Sequence, residues 1–205
     1  MGNKSHWENV FATKTEKEVS WHQPYPQTSI DFFNEWKLPL DAKIIDIGGG
    51  DSYFIDALLA LGYTNIHLLD ISENAIARAK KRLGKKVTSV TFIVSDVLDF
   101  KPEMAFDLWY DRACFHFLVD PIQIAAYKMI VLKAVASQGK MILGTFSEIG
   151  PLKCSGLEIT QYSIEDLKAA FADHFEAVSC QAVEHHTPFG TLQNFTFCNF
   201  KKKQS

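Results

Sequence analysis

Four acidic residues stand at positions where a single ligand site could use all of them. Asp46 sits in the apolar run Ile44-Ile45-Asp46-Ile47 ahead of Gly48, Gly49 and Gly50; Asp51 follows the glycines directly, and Asp70 and Asp96 come at the ends of two later apolar runs. Glycine tolerates unusual φ and lets a ligand approach the main chain, while the first turn of a following helix leaves N–H groups unpaired. The turn is a ligand cradle. Further along, Asp111-Arg112-Ala113-Cys114-Phe115-His116-Phe117 gathers a carboxylate, a guanidinium and an imidazole. His116, with an unperturbed pKa of about 6.5, is the general-base candidate, although its apolar neighbours suit a packed ring bonded to backbone equally well. Asp111 suits an ammonium group or a cationic substrate; Arg112 suits an anionic substrate or a structural pair with a nearby acid. Cys114 and Cys154 read as small core or loop residues, and His185-His186 as a solvated loop tip, because neighbours on a strand point to opposite faces. No metal site is expected.

These side chains need elements to place them. Ile44–Ile47 reads as a buried parallel strand and Tyr53–Leu61 as the helix after it. Asn65–Asp70 is a second strand, Ser72 caps a helix through Arg82, Val90–Val94 is a third strand and Phe106–Tyr110 a fourth. A helix from about Pro121 to Ala136 leads to a fifth strand at Lys140–Phe146, so strands and helices alternate. That alternation predicts an α/β sheet with mostly parallel strands. A long loop, Ser147–Gln161, precedes a helix capped by Ser163 with Asp166, and the stretches Phe175–Glu184 and Thr191–Phe200 then read as an antiparallel hairpin. Residues 1–40 are rich in aromatics and read as a helical arm with a helix from Thr28 to Trp36; with Trp21 and Tyr25 among prolines, the arm is either a lid or a static anchor. Residues 1–205 are expected to form one domain, its core spanning 41–205.

Ligand chemistry narrows next. A dinucleotide needs a pyrophosphate seat, Gly-x-Gly-x-x-Gly, with the helix N-terminus aimed at the phosphates. Counted from Gly48 the third glycine is replaced by Tyr53, and Asp51 puts a carboxylate where phosphate charge would sit, unfavourable by about 1 kcal/mol or more. No Gly-Lys-Ser/Thr follows, which excludes a P-loop. S-adenosylmethionine has no phosphate and carries a cationic sulfonium, so acids suit it: Asp46 and Asp51 at its amino-acid end, Asp70 at the ribose hydroxyls, Asp96 at the adenine amine. The order Asp46-x-Gly48-x-Gly50, then Asp70, then Ser95-Asp96-Val97 resembles the class I S-adenosylmethionine-dependent methyltransferase family. Ser52 departs from it where a further glycine is often seen. The resemblance implies a three-layer Rossmann-like sheet of about seven strands, mostly parallel, with a C-terminal antiparallel hairpin. It also assigns Trp21, Ile71, Val97 and Asp111 to the cofactor site beside the acids and glycines, and His116, Asp111 and Arg112 to catalysis. Trp21-His22-Gln23-Pro24 and Pro151-Leu152-Lys153-Cys154-Ser155-Gly156 resemble, more loosely, small bacterial methyltransferases of unassigned substrate and, more distantly, thiopurine, tellurite and protein-lysine methyltransferases.

Composition sets the remaining expectations. A formal charge of −3 with both signs interspersed indicates no nucleic-acid partner, and no apolar run approaches a membrane span. Four scattered cysteines without a Cys-x-x-Cys pair read as reduced thiols in the cytoplasm. The expected activity is methyl transfer to a small molecule by in-line displacement. The alternatives are a protein-lysine methyltransferase and a non-catalytic cofactor-binding module; a nicotinamide oxidoreductase is opposed by Asp51 and Tyr53.

Overall fold

The computed structural model describes residues 4–204. In chain order its elements are α1 (Lys4–Thr13), α2 (Gln27–Asn34), β1 (Ile44–Ile47), α3 (Phe54–Ala60), β2 (Ile66–Asp70), α4 (Glu73–Leu83), β3 (Val90–Val94), β4 (Phe106–Arg112), α5 (Pro121–Ala134), β5 (Val135–Phe146), β6 (Lys153–Cys154), β7 (Leu157–Glu158), α6 (Ile164–Phe171), β8 (Phe175–His186) and β9 (Leu192–Lys202). Seven strands form one sheet in the order β3-β2-β1-β4-β5-β9-β8. The first five are parallel, and β9 runs antiparallel between β5 and β8. Chain order reverses between β1 and β4, and the crevice at the carboxyl ends of those strands is where such sheets bind ligands.

Strand alternation divides the core between the two sheet faces. Ile44, Leu68, Leu108 and Tyr110 pack with Phe33 of α2 and Phe54 of α3, while Ile45, Ile47, Trp109 and Leu143 pack with Tyr127 of α5 and Phe171 of α6. The three-layer Rossmann-like expectation holds. Helix ends are fixed by side chains: Ser72 Oγ accepts from Ala75 N at 3.1 Å, Asp120 caps α5 ahead of Pro121, and Ser163 forms a capping box with Asp166. No helix among the described residues is long and apolar enough to cross a membrane.

Several boundaries differ from expectation. Helix α2 starts at Gln27 with Pro26 at the N-cap, so Thr28 lies inside the first turn and caps nothing. Strand β5 starts at Val135, directly from α5, because Val135 pairs with Phe106 across an irregular register; Gln138 takes a positive φ of 62°. By composition, polar Ser137-Gln138-Gly139 suits a loop instead. The long loop carries the short β6–β7 ladder. Strand β8 continues through His186, which places His185 in the sheet and removes the solvated-tip reading: its side chain is buried at 4% exposure. The cysteines also divide: Cys180 and Cys198 face each other across the β8–β9 ladder and are joined as a disulfide, whereas Cys114 and Cys154 are free. The reading of all four as thiols is corrected by that register, which sequence spacing does not reveal.

Candidate active site

The glycine turn leaves β1 with Gly48 at φ 62° and Gly50 at φ 52°, conformations that glycine adopts without strain. Gly48 N donates to Leu69 O at 2.7 Å and ties the turn to β2. A Cβ on Gly49 would lie 2.5 Å from Asp46 Oδ2 and run into Leu68, so the turn has no room for a side chain there. From outside, Arg82 of α4 holds the turn by donating to the carbonyls of Asp51 and Ser52, each at 2.7 Å, while pairing with Asp56 at 2.9 Å. Sequence reading gave Arg82 no role, since its partners lie across the helix pair.

Asp46, Gly48, Gly50 and Asp70 line one cavity above this turn, and Ile71, Asp96 and Val97 continue its wall. Asp46 is 1% exposed and its Oδ2 has no hydrogen-bond partner; burial, then the nearby Asp111 and Asp70, push its pKa well above the carboxylate range. Asp70 accepts from Ser72 N at 2.8 Å, yet burial outweighs that bond and lifts its pKa to about 7, with Asp51 and Glu8 adding repulsion. Asp96 accepts from Leu98 N at 3.0 Å through one carboxylate oxygen. Asp51 does not reach this cavity. Its carboxylate turns away to Arg78 of α4 at 3.3 Å, which corrects its assignment to the ligand's amino-acid end.

Alternation along β4 separates the expected catalytic group. Tyr110 and Arg112 face the cavity, and Asp111 points to the opposite face. There the Asp111 carboxylate accepts from Cys114 N at 2.8 Å, Phe115 N at 3.1 Å and Tyr127 OH at 2.6 Å, so its assignment to cofactor and catalysis is corrected: it fixes the turn after β4. Burial nevertheless raises its pKa to about 6 against those donors. His116 is also corrected. It is fully buried outside the cavity lining, its Nδ1 accepts from Phe146 N at 3.3 Å, and burial, then Arg112, lower its pKa to about 3. Its Nε2 is buried without a hydrogen-bond partner among the described residues, and the ring forms no part of the cavity wall.

Arg112 stays in the site. It donates from Nη1 to Trp21 O at 3.1 Å and stacks 5.0 Å over the Phe195 ring, and among the described residues no carboxylate lies within salt-bridge distance of it. Burial lowers its pKa from the ordinary value, but a guanidinium remains charged. Cys114 and Cys154 line the same cavity as neutral thiols, burial raising the first well above its usual value and the second to about 12.

The arm contributes to the cavity wall. Trp7 and Phe11, one helical turn apart on α1, line it with Trp21 and Phe117, and Trp7 lies 6.0 Å from Trp21 and 5.1 Å from Phe117. Glu8, between those two aromatics, crosses to α4 and accepts from Ser72 Oγ at 2.9 Å, Glu73 N at 2.6 Å and Asn74 N at 3.1 Å. A carboxylate at a helix N-terminus is favoured by unpaired N–H groups and the helix dipole. The Trp7–Phe11 spacing around an acid was the available sequence signal; its partner was not visible.

A family model described as "Methyltransferase domain" matches residues 40–203. Among curated relatives, the human EEF1A lysine methyltransferase 2 is 28% identical over 129 residues, covering 56% of this chain and 53% of that protein. Malonyl-[acyl-carrier protein] O-methyltransferase 1 of Ilyobacter polytropus is 31% identical over 105 residues, covering 51% of this chain and 38% of that protein. The chain thus spans about half, or less, of the length of these relatives. Among solved structures, the 1,6-didemethyltoxoflavin-N1-methyltransferase of Burkholderia thailandensis, with bound 1,6-didemethyltoxoflavin and S-adenosylhomocysteine, superposes with a TM-score of 0.74 at 18% identity over 98% of this chain and 87% of that one. The N-methyltransferase NodS of Bradyrhizobium japonicum, in complex with S-adenosylhomocysteine, gives 0.73 at 16% identity over 98% and 100%. At such identities the likeness is one of fold.

Proposed function

The chain belongs to the methyltransferase domain family of S-adenosylmethionine-dependent enzymes, and on that premise we propose that its cavity holds S-adenosylmethionine and serves methyl transfer to a compact small-molecule acceptor. One observation carries the reading. Asp46 has a buried carboxylate oxygen without a partner, and Arg112 a guanidinium without a carboxylate; they face the same side of the adjacent strands β1 and β4, yet do not pair. An orphaned buried carboxyl oxygen and a buried guanidinium without a counter-charge are both costly; an amino acid's carboxylate would pair with Arg112, and its ammonium would satisfy Asp46 and favour its ionised form. Asp70 then suits the ribose hydroxyls and Asp96 the adenine amine, with Ile71 and Val97 as apolar walls.

The bound cofactor supplies an electrophilic methyl group on a sulfonium. What the chain contributes is placement and dryness: Trp7, Trp21 and Phe117 wall the cavity, and holding two reactants in line is worth about 7 to 11 kcal/mol. With His116 outside the cavity, no imidazole among the described residues lines it, which favours an acceptor that is nucleophilic without a histidine base. Enclosing aromatics and a cation at the end of β4 favour a compact acceptor over a lysine side chain, which an open acidic groove would suit better. The protein-lysine reading is kept by the human relative, whose name is that of a lysine methyltransferase.

Calorimetry with S-adenosylhomocysteine tests the cofactor. Wild-type protein is expected to bind it, and Asp46→Asn and Arg112→Gln to weaken binding about tenfold or more, as for removal of one charged hydrogen bond. Binding of NAD with none of S-adenosylhomocysteine would sink the proposal. Labelled cofactor incubated with separated metabolite and protein fractions distinguishes the two acceptor classes.

A further inference from the structure

Both ring nitrogens of buried His185 bond to one short stretch of the arm. Nε2 lies 2.6 Å from Ser20 O, and Nδ1 lies 3.2 Å from Gln23 Nε2. A carbonyl oxygen only accepts, so the proton sits on Nε2 and Nδ1 accepts from the Gln23 amide. These bonds flank Trp21, which lines the cavity and whose own carbonyl accepts from Arg112. Arg112 in turn stacks on Phe195, and the Phe195 ring meets His185 nearly perpendicularly at 6.0 Å. The contacts therefore close a ring joining the end of β8, the arm, the end of β4 and β9.

We infer that His185 is a positioning residue, which pins the arm so that Trp21 and Arg112 are held at the cofactor's amino-acid end. This rests on the cofactor reading above. The partners of His185 support the role, since both of its hydrogen bonds leave its own sheet for the arm. Burial, then the nearby Arg112, lower its pKa to about 4, with Ser20 O acting against them and His186 and His22 adding slightly, so the ring is neutral at working pH and its tautomer is fixed.

The test titrates S-adenosylhomocysteine into the wild type, the single variants His185→Phe, His185→Gln and Gln23→Ala, and the double variant that combines His185→Phe with Gln23→Ala. Phenylalanine keeps a ring against Phe195 without either bond, whereas glutamine retains an amide N–H that can reach Ser20 O. His185→Phe is expected to weaken binding about five- to twentyfold and Gln23→Ala about two- to fivefold, as for one or two neutral hydrogen bonds, with His185→Gln recovering most of the loss. The double variant should bind no worse than His185→Phe, because Gln23→Ala then removes a bond already lost. Wild-type affinity in His185→Phe, no recovery with glutamine, or fully multiplicative losses in the double variant would overturn the role. If His185→Phe does not fold, Gln23→Ala and His185→Gln decide: wild-type affinity in Gln23→Ala overturns it, and a loss there with affinity near wild type in His185→Gln supports it. A wild type that binds no S-adenosylhomocysteine overturns the cofactor reading itself, a result distinct from all of these.

Discussion

Asp70 shows most directly how burial tunes a single group. Its raised pKa of about 7 means that the folded chain holds a proton which the unfolded chain releases near the ordinary value of 3.8. Its contribution to stability is therefore most favourable below the unfolded pKa and declines as pH rises through the folded one. On the proposed binding mode ribose hydroxyls would donate to the ionised form, so S-adenosylhomocysteine should bind more tightly at pH 8 than at pH 6, with proton release near and below neutrality. Calorimetry in two buffers of different ionisation enthalpy measures that release, and Asp70→Asn should reduce it and lower the affinity, the remainder coming from Asp46, whose pKa is also raised. Asp111 differs, because three donors converge on its carboxylate away from the cavity. Asp111→Asn is expected to cost about 1 to 3 kcal/mol in urea unfolding, the scale of a buried unsatisfied group, while affinity for S-adenosylhomocysteine stays near wild type. Loss of affinity with stability intact would return Asp111 to the ligand site.

At the scale of elements, the arm forms one wall of the cavity. Helix α1 meets α4 through Glu8 and through the Lys4–Glu73 ion pair at 2.9 Å; Arg78 bonds Lys14 O and lies 5.8 Å over the Phe11 ring. The exposed Lys4–Glu73 pair contributes little, and the Glu8 carboxylate on the α4 N-terminus is the stronger fastening. Glu8→Ala should let S-adenosylhomocysteine leave about three- to tenfold faster in stopped-flow displacement, as expected for loss of a charge-assisted contact. An unchanged dissociation rate would make α1 a static anchor instead of a cover. Expectation from sequence was good for elements with a local signature: β3 matches residue for residue, and Ser72 and Ser163 cap as read. It was poorer where pairing extends an element, as with Val135 and His186, because a partner strand rather than composition sets those ends.

Across the whole molecule, local chain order and long-range pairing contributed different things. The glycine turn, the acids near strand ends and the alternation of strand and helix all follow from residues close together in the chain, so the parallel sheet and its cofactor crevice were legible in the sequence. The period of two in a strand was legible too, and applied to Asp111 and Arg112 it would have sent them to opposite faces. Other features needed the tertiary fold. Asp51 is drawn to Arg78, His116 is enclosed by Phe117 and Phe146, Cys180 meets Cys198, Glu8 reaches α4 and His185 reaches the arm. By itself the sequence determined a nucleoside-binding sheet suited to a phosphate-free, cationic cofactor. Only the tertiary structure decided which polar side chains face the cavity unpaired and which are bound elsewhere, because burial and partner choice depend on residues far apart in the chain.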